Sequence, residues 1–285
     1  MAANERQKEA WNGPESTHFV DQADRYERQL EPFTRALLER AGRGEHRVVL
    51  DVGCGSGTTT LAVAADAERV VGVDLSQPLV ELARRRAQAA AIDNVEFVIA
   101  DAQTHDFAPG TFDLFISQFG LMFFDEPLRA FTNIRRALRD GGRAAFVCWQ
   151  GLQANEWLTL IGDVVSRHIE LPAFGGLGGG PGMFALCDPD EVVTLLGAAG
   201  FERVECESYT PSIVIGGGGS ADESVDFLLG NGMPRGLLGL LDPDAQDDVH
   251  RAVRAELVNR YEDGVGIRLG AAVWMVAAQA SPGRA

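Results

Sequence analysis

Apolar and polar positions recur along the chain in two different periods, and the switches between them mark out its elements. Over residues 15–41, Phe19, Tyr26, Leu30, Phe33, Leu37 and Leu38 fall at helical spacing, with Pro32 expected to start or kink a second helix. Residues 42–46, GRGEH, read as a linker. Short apolar runs follow at 47–52, 69–73, 95–100, 112–117 and 143–149, each of strand length and rich in Val, Ile or Phe, as strands buried on both faces are. Residues 58–67, 77–90 and 127–139 carry helical spacing between them. Pro78 falls where a first helical turn tolerates it, and Gly141-Gly142 are expected to close the third helix. This alternation predicts an α/β fold with a parallel sheet covered by helices on both faces.

After residue 150 the alternation breaks. Residues 151–187 hold Trp157, Phe174, Phe184 and the tract GGLGGGPG at 175–182, which reads equally as a lid and as a solvent loop. A helix is predicted at 191–199, ended by Gly200, and a strand at 201–209. GGGGS at 216–220 has the composition of an engineered linker, but apolar helical sequence resumes at Val225, so it is read as a native loop. Helices near 223–230 and 243–262 and a buried strand at 267–278 complete the chain. The predicted organisation is a helical cap over 1–46, a core over 47–150, and a segment over 151–285 that covers substrate and completes the same domain.

Composition narrows the classes of partner. The net charge is −16, from 41 acidic and 25 basic residues, and Lys8 is the single lysine. Such a surface argues against a nucleic-acid partner, whose binding is driven by phosphate neutralisation. The N-terminal MAANERQKEA is polar and no 18-residue uncharged apolar stretch occurs. Neither a signal peptide nor a membrane partner is expected, and the expected location is the cytoplasm. The four cysteines form no C-x-x-C pair, so reduced thiols and no metal site are predicted.

The chemistry gathers at strand ends. Residues 48–57 read VVLDVGCGSG, a strand running into Gly53, Gly55 and Gly57 and then a helix. Glycines there permit a tight turn and a close approach of backbone to ligand. The spacing is neither the G-x-G-x-x-G of dinucleotide folds nor a phosphate-cradling G-K-S/T loop. Asp51, Asp74 and Asp101 each close a strand, an arrangement that repels a pyrophosphate. It suits a ligand with ribose hydroxyls, an exocyclic amine and a cationic centre, as S-adenosylmethionine has. Asp74 is placed to accept two hydrogen bonds from the ribose.

With LDVGCGSG (50–57), VVGVDLS (70–76), NVEFVIADAQ (94–103), GTFDLFISQFGLMFF (110–124) and IRRALRDGGRAAFVCW (134–149), the chain resembles class I S-adenosylmethionine-dependent methyltransferases of the small-molecule type, similar to those of ubiquinone and menaquinone biosynthesis. The resemblance implies a Rossmann-like, seven-stranded, mostly parallel sheet whose last strand enters antiparallel. It implies S-adenosyl-L-methionine as cofactor, held by Asp51, Gly53, Cys54, Gly55, Asp74 and Leu75, with Asp101 and Ala102 at the adenine and Gln118 and Phe119 facing the methyl group. Tyr26 is a candidate aromatic wall beside the sulfonium, with Phe19, Phe123 and Trp149 as further candidates and Trp11 as a lid. His18 and His168 are the candidate bases; His46, His105 and His250 read as surface residues. The expected activity is methyl transfer to a small apolar or aromatic acceptor. The alternative on the same fold is cofactor-bound cyclisation or decarboxylation. A nicotinamide oxidoreductase and a non-catalytic cofactor-binding module are less consistent with the motifs. Aromatic cap helices leave a homodimer open.

Overall fold

The computed structural model describes residues 4–42, 46–171 and 180–282. Three helices come first: α1 (Glu5–Ala10), α2 (Pro14–Asp21) and α3 (Ala23–Ala41). The alternating region follows as β1 (His46–Val52), α4 (Thr58–Val63), β2 (Ala67–Asp74), α5 (Gln77–Ala89), β3 (Val95–Ile99), β4 (Phe112–Gln118), α6 (Pro127–Ala137) and β5 (Leu138–Trp149). The remainder comprises α7 (Glu156–Val165), α8 (Pro189–Ala198), β6 (Phe201–Tyr209), β7 (Ser212–Val214), α9 (Ala221–Gly230), α10 (Gly232–Leu238), α11 (Pro243–Val258), β8 (Tyr261–Glu262), β9 (Gly266–Gly270) and β10 (Val273–Ala280).

Seven strands form one sheet in the order β3-β2-β1-β4-β5-β10-β6. The first five are parallel, and β10 runs antiparallel between β5 and β6. Strand order reverses between β1 and β4, so the loops after these strands diverge and leave a crevice at their carboxyl ends. Central strands are buried on both faces, with Leu114, Phe115 and Ile116 of β4 fully enclosed. On β5, Phe146 meets Phe131 of α6, while Trp149, an odd number of residues on, meets Phe33 of α3. Odd separation along a strand puts side chains on opposite faces, so α3 and α6 cover the two sides of the sheet.

Four boundaries differ from the sequence expectations. The N-terminal helices divide at Gln22, and α3 runs on through Pro32. The helix after the glycine turn is six residues long and tightens into a 3₁₀ turn at Ala64–Asp66. Helix α6 ends at Ala137, and Gly141 turns within β5 at φ +73° instead of closing the helix. The run at 267–278 is two strands rather than one. Gly270 N–H donates to the Glu156 carboxylate at 2.7 Å, Ala271 N–H to Pro211 O and Ala272 N–H to Asn155 Oδ1. Two of these donors leave the ladder for the start of α7 and the third for the turn before β7, so β9 ends in a small antiparallel sheet with β7 and β8 before β10 begins.

The GGGGS segment is a docked turn. Gly216 to Gly219 all have positive φ. Arg25 and Arg28 of α3 donate to Gly216 O and Gly217 O, and Gln29 Oε1 accepts from Gly216 N–H. Ser220 then caps α9 in a reciprocal pair with Glu223. The glycine tract at 175–182, an expected lid or loop, lies outside the described residues as far as residue 179.

Candidate active site

The loops after β1 and β4 meet backbone to backbone. A Cβ on Gly53 would lie 2.7 Å from Gly120 Cα, and one on Gly120 would lie 2.8 Å from Gly53 Cα, so neither position has room for a side chain. Gly53 and Cys54 N–H both donate to Val73 O, tying the turn to the end of β2. The third glycine serves packing: a Cβ on Gly57 would come within 2.9 Å of Ala83 on α5. At Gly55 a Cβ would meet nothing within 4 Å, because the space beside it is cavity. The first and third glycines thus close the fold, and the second leaves backbone open to a ligand.

That cavity, of about 290 Å³, has two ends. At one end Asp74 is half-buried, its Oδ2 accepting from Gly55 N–H at 2.8 Å and its Oδ1 from Ser76 N–H at 2.8 Å. Each carboxylate oxygen keeps further acceptor capacity for a hydroxyl. Burial pushes this carboxyl above its ordinary value, against the pull of the Ser76, Gly55 and Leu75 N–H groups. Asp101 Oδ1 accepts from Gln103 N–H and from the side-chain amide of Asn4, each at 2.9 Å. Leu75, Ala100 and Ala102 supply apolar wall between the two acids.

The other end is aromatic. Phe119 stacks on Trp149 with centroids 4.4 Å apart, and Trp149 packs on Trp157. Phe119 adopts φ +64°, a left-handed conformation that costs a bulky residue free energy and is held here by its N–H donating to Val147 O. Its ring is therefore fixed at the junction of the two ends. Phe19 stacks on Tyr26 at 4.5 Å, and Met183 and Asn231 complete the wall. The Tyr26 hydroxyl donates to Asn231 Oδ1 at 2.7 Å and lies 3.1 Å from His18 Nε2. Gln118 Oε1 accepts from Thr34 Oγ1 at 2.9 Å.

Of the residues expected to hold the cofactor, Tyr26, Gly53, Cys54, Gly55, Asp74, Leu75, Asp101, Ala102, Gln118 and Phe119 line this one cavity, and Trp11 lines it too. Two further candidates lie outside that lining. Asp51 lies fully buried beneath the turn, outside the cavity wall, its Oδ2 accepting from Thr59 and Thr60 hydroxyls at 2.6 Å each. It braces the start of α4. His168 follows α7 in an exposed turn away from the cavity, because α7 buries Trp157, Ile161, Val164 and Val165 and leaves 166–168 outside. His18 stands one residue back from the wall, behind Tyr26. Gly120, Trp157, Met183 and Asn231 were not anticipated. The Gln-Phe-Gly sequence after a buried strand was the available signal for Gly120; the other three are brought in by long-range packing.

The residues present fit an adenosyl sulfonium. Two carboxylates with spare acceptor capacity stand at an apolar slot, an open glycine backbone lies beside them, and among the described residues no Lys or Arg lines the wall to oppose a cation.

Residues 49–142 match the family model described as a methyltransferase domain. Demethylmenaquinone methyltransferase of Clavibacter sepedonicus is 39% identical over 110 residues, 39% of this chain and 42% of that protein. Aklanonic acid methyltransferase DauC of Streptomyces sp. (strain C5) is 29% identical over 118 residues, 40% of this chain and 54% of that protein. The match thus spans about half or less of these relatives' lengths. The crystal structure of YcgJ from Bacillus subtilis superposes with a TM-score of 0.59 at 18% identity, covering 89% of this chain and all of that one. Among the described residues, no helix is long and apolar enough to cross a membrane.

Proposed function

We propose that this chain, whose residues 49–142 match a methyltransferase domain, is an S-adenosylmethionine-dependent methyltransferase that transfers the cofactor's methyl group to a small, apolar, ring-containing acceptor. One observation carries the proposal: a single cavity has carboxylates and open glycine backbone at one end and a Phe119–Trp149–Trp157 wall at the other. The named activities of the two relatives, on a demethylmenaquinone and on aklanonic acid, support an acceptor of this kind.

Bound S-adenosylmethionine supplies an activated methyl on a sulfonium, a good leaving group. Asp74, which holds the Gly55 and Ser76 N–H groups, would accept from the ribose hydroxyls and so couple ligand orientation to the turn. Asp101 and Ala102 would hold the base. Phe119, fixed by its strained backbone, would stand against the methyl group and acceptor and exclude water there. Holding two reacting centres in line near 3 Å supplies roughly 7–11 kcal/mol, enough that few further groups are required. Where the acceptor carries a proton, the Tyr26 hydroxyl, held by Asn231 and His18, is the polar group placed to hold or move it.

The test has two arms. Calorimetric titration of Asp74→Ala with S-adenosylhomocysteine is expected to show affinity lowered about 10- to 100-fold, the size of a charge-assisted hydrogen bond. Unchanged affinity removes the ribose assignment. Incubation with methyl-labelled cofactor and a panel of phenols, quinols and aromatic acids is expected to move label into an organic-extractable product. Label retained on the cofactor while an acceptor is consumed would instead establish cyclisation or decarboxylation.

A further inference from the structure

We propose that Asn4 and Asn12 clasp the N-terminal segment over the adenosyl end of the cavity, and that Asn4 is a positioning residue which aims the Asp101 carboxylate at the purine amine. The inference rests on the cofactor assignment above and goes beyond it in making residues 4–12 part of base recognition.

Asn4 is 1% exposed, and its polar groups are engaged by two different loops. Its backbone N–H donates to Asp125 Oδ2 at 2.7 Å, and its side-chain Oδ1 accepts from Asp125 N–H at 2.8 Å. Its Nδ2 donates to Asp101 Oδ1 at 2.9 Å. Both ends of the amide are thereby defined by their partners, since the carboxylate can only accept and the backbone N–H can only donate. Asn4 sits at φ +59°, a left-handed conformation that asparagine tolerates better than most residues. Asn12 makes the second clasp eight residues on: its Nδ2 donates to Leu75 O at 3.0 Å and its Oδ1 accepts from Gln77 N–H at 2.9 Å. Between the two clasps, Trp11 lines the cavity and packs edge-on to Phe123 with centroids 5.4 Å apart.

The clasps sit over different parts of the ligand site. Asn12 grips the chain just past Asp74, the ribose acid. Asn4 grips Asp101, at the end of β3. With Oδ1 held by Asn4 and Gln103 N–H, Asp101 Oδ2 makes no hydrogen bond among the described residues, and it is the oxygen left for an exocyclic amine. Rotation of the carboxylate, which would blur the distinction between an amine and a carbonyl on the purine, is opposed by the Asn4 amide.

The experiment compares S-adenosylhomocysteine with S-inosylhomocysteine, which carries a carbonyl where adenine carries the amine, by calorimetry and stopped-flow release. The wild-type chain is expected to prefer the adenosyl probe. Asn4→Ala is expected to cut adenosyl affinity about tenfold with little change for the inosyl probe, so the preference collapses. Asn12→Ala is expected to speed release of both probes by the same factor and leave the preference intact. In an Asp101→Asn background, Asn4→Ala is expected to have no further effect on the preference. Equal losses for both probes in Asn4→Ala, or a preserved preference, would overturn the assignment of Asn4 while leaving the cofactor site standing. A wild-type chain that binds neither probe would overturn the cofactor assignment itself.

Discussion

Asp51 shows how one residue can belong to a site motif and yet answer to the fold. It is fully enclosed, its Oδ1 has no hydrogen-bond partner among the described residues, and its Oδ2 takes two threonine hydroxyls. Burial raises its pKa to about 6, against the pull of Thr59 and Thr60, with Asp74 pushing the same way as burial. The native carboxyl thus holds its proton more tightly than the unfolded chain does, starting from an ordinary value of 3.8. The resulting stabilisation is complete below the unfolded value and is lost as pH rises through about 6. A shift of this size corresponds to about 3 kcal/mol. Asp51→Asn removes the titration and keeps the shape. The gap between variant and parent in denaturant unfolding should therefore widen in the variant's favour by up to about 3 kcal/mol from about pH 4 to about pH 7. A gap that does not change with pH would mean that the buried carboxylate's charge is compensated in the folded chain. The sequence marked Asp51 correctly as a strand-end acid. Whether such an acid faces ligand or braces a helix depends on Thr59 and Thr60 turning inward, which strand-end position alone does not specify.

Elements were legible where period and punctuation agreed. Each of the five parallel strands is a run of apolar residues bounded by a turn residue or an acid; the structure places four within two residues of the expected range, and β5 begins five residues earlier than expected, at Leu138. Elements were misjudged where the side chains gave no sign of the backbone's partners. The apolar run at 267–278 hides the diversion of three N–H groups, two to the start of α7 and one to Pro211 O, and Gly270 is the one glycine that interrupts it. The GGGGS segment shows the converse, since its composition suggests a linker and its geometry is that of a tight dock on α3. A Cβ on Gly217 would lie 2.4 Å from Arg28 Cβ, and the position has φ +67°. Gly217→Ala is expected to destabilise the chain by about 2 kcal/mol or more, combining left-handed strain with a clash against a stem that cannot swing away. Gly236→Ala, within α10 where a Cβ would meet nothing within 4 Å, is the control and is expected to stabilise by about 0.5–1 kcal/mol through helix propensity. Chemical denaturation of both variants separates the two cases; equal effects would mean the tract is not docked in solution.

At the scale of the molecule, the cavity joins three stretches far apart in sequence. The N-terminal segment with α2 and α3 contributes Trp11 to Leu30, the alternating core contributes Val52 to Trp149, and the late segment contributes Trp157 to Asn231. The cofactor end was legible because its residues lie in local strand–turn–helix motifs. The acceptor end was not, because Trp157, Met183 and Asn231 reach the wall only through packing of α7, the segment after it and α10. This division predicts how binding propagates. A ligand that binds only the folded chain stabilises it by about 2.7 kcal/mol when present at 100 times its dissociation constant. Residues that touch it directly, or that must open for it to leave, should gain protection beyond that global amount. With S-adenosylhomocysteine bound, deuterium uptake is expected to slow most in residues 4–12, 53–57 and 101–104, and least in α9 and α11, which lie behind the acceptor end. Adding an acceptor analogue should then extend the slowing to α10 around Asn231 and to the turn at 182–186. Uptake in residues 4–12 that does not respond to the nucleoside would mean the strap opens independently of the ligand, and the two asparagine clasps would then be features of the resting fold alone.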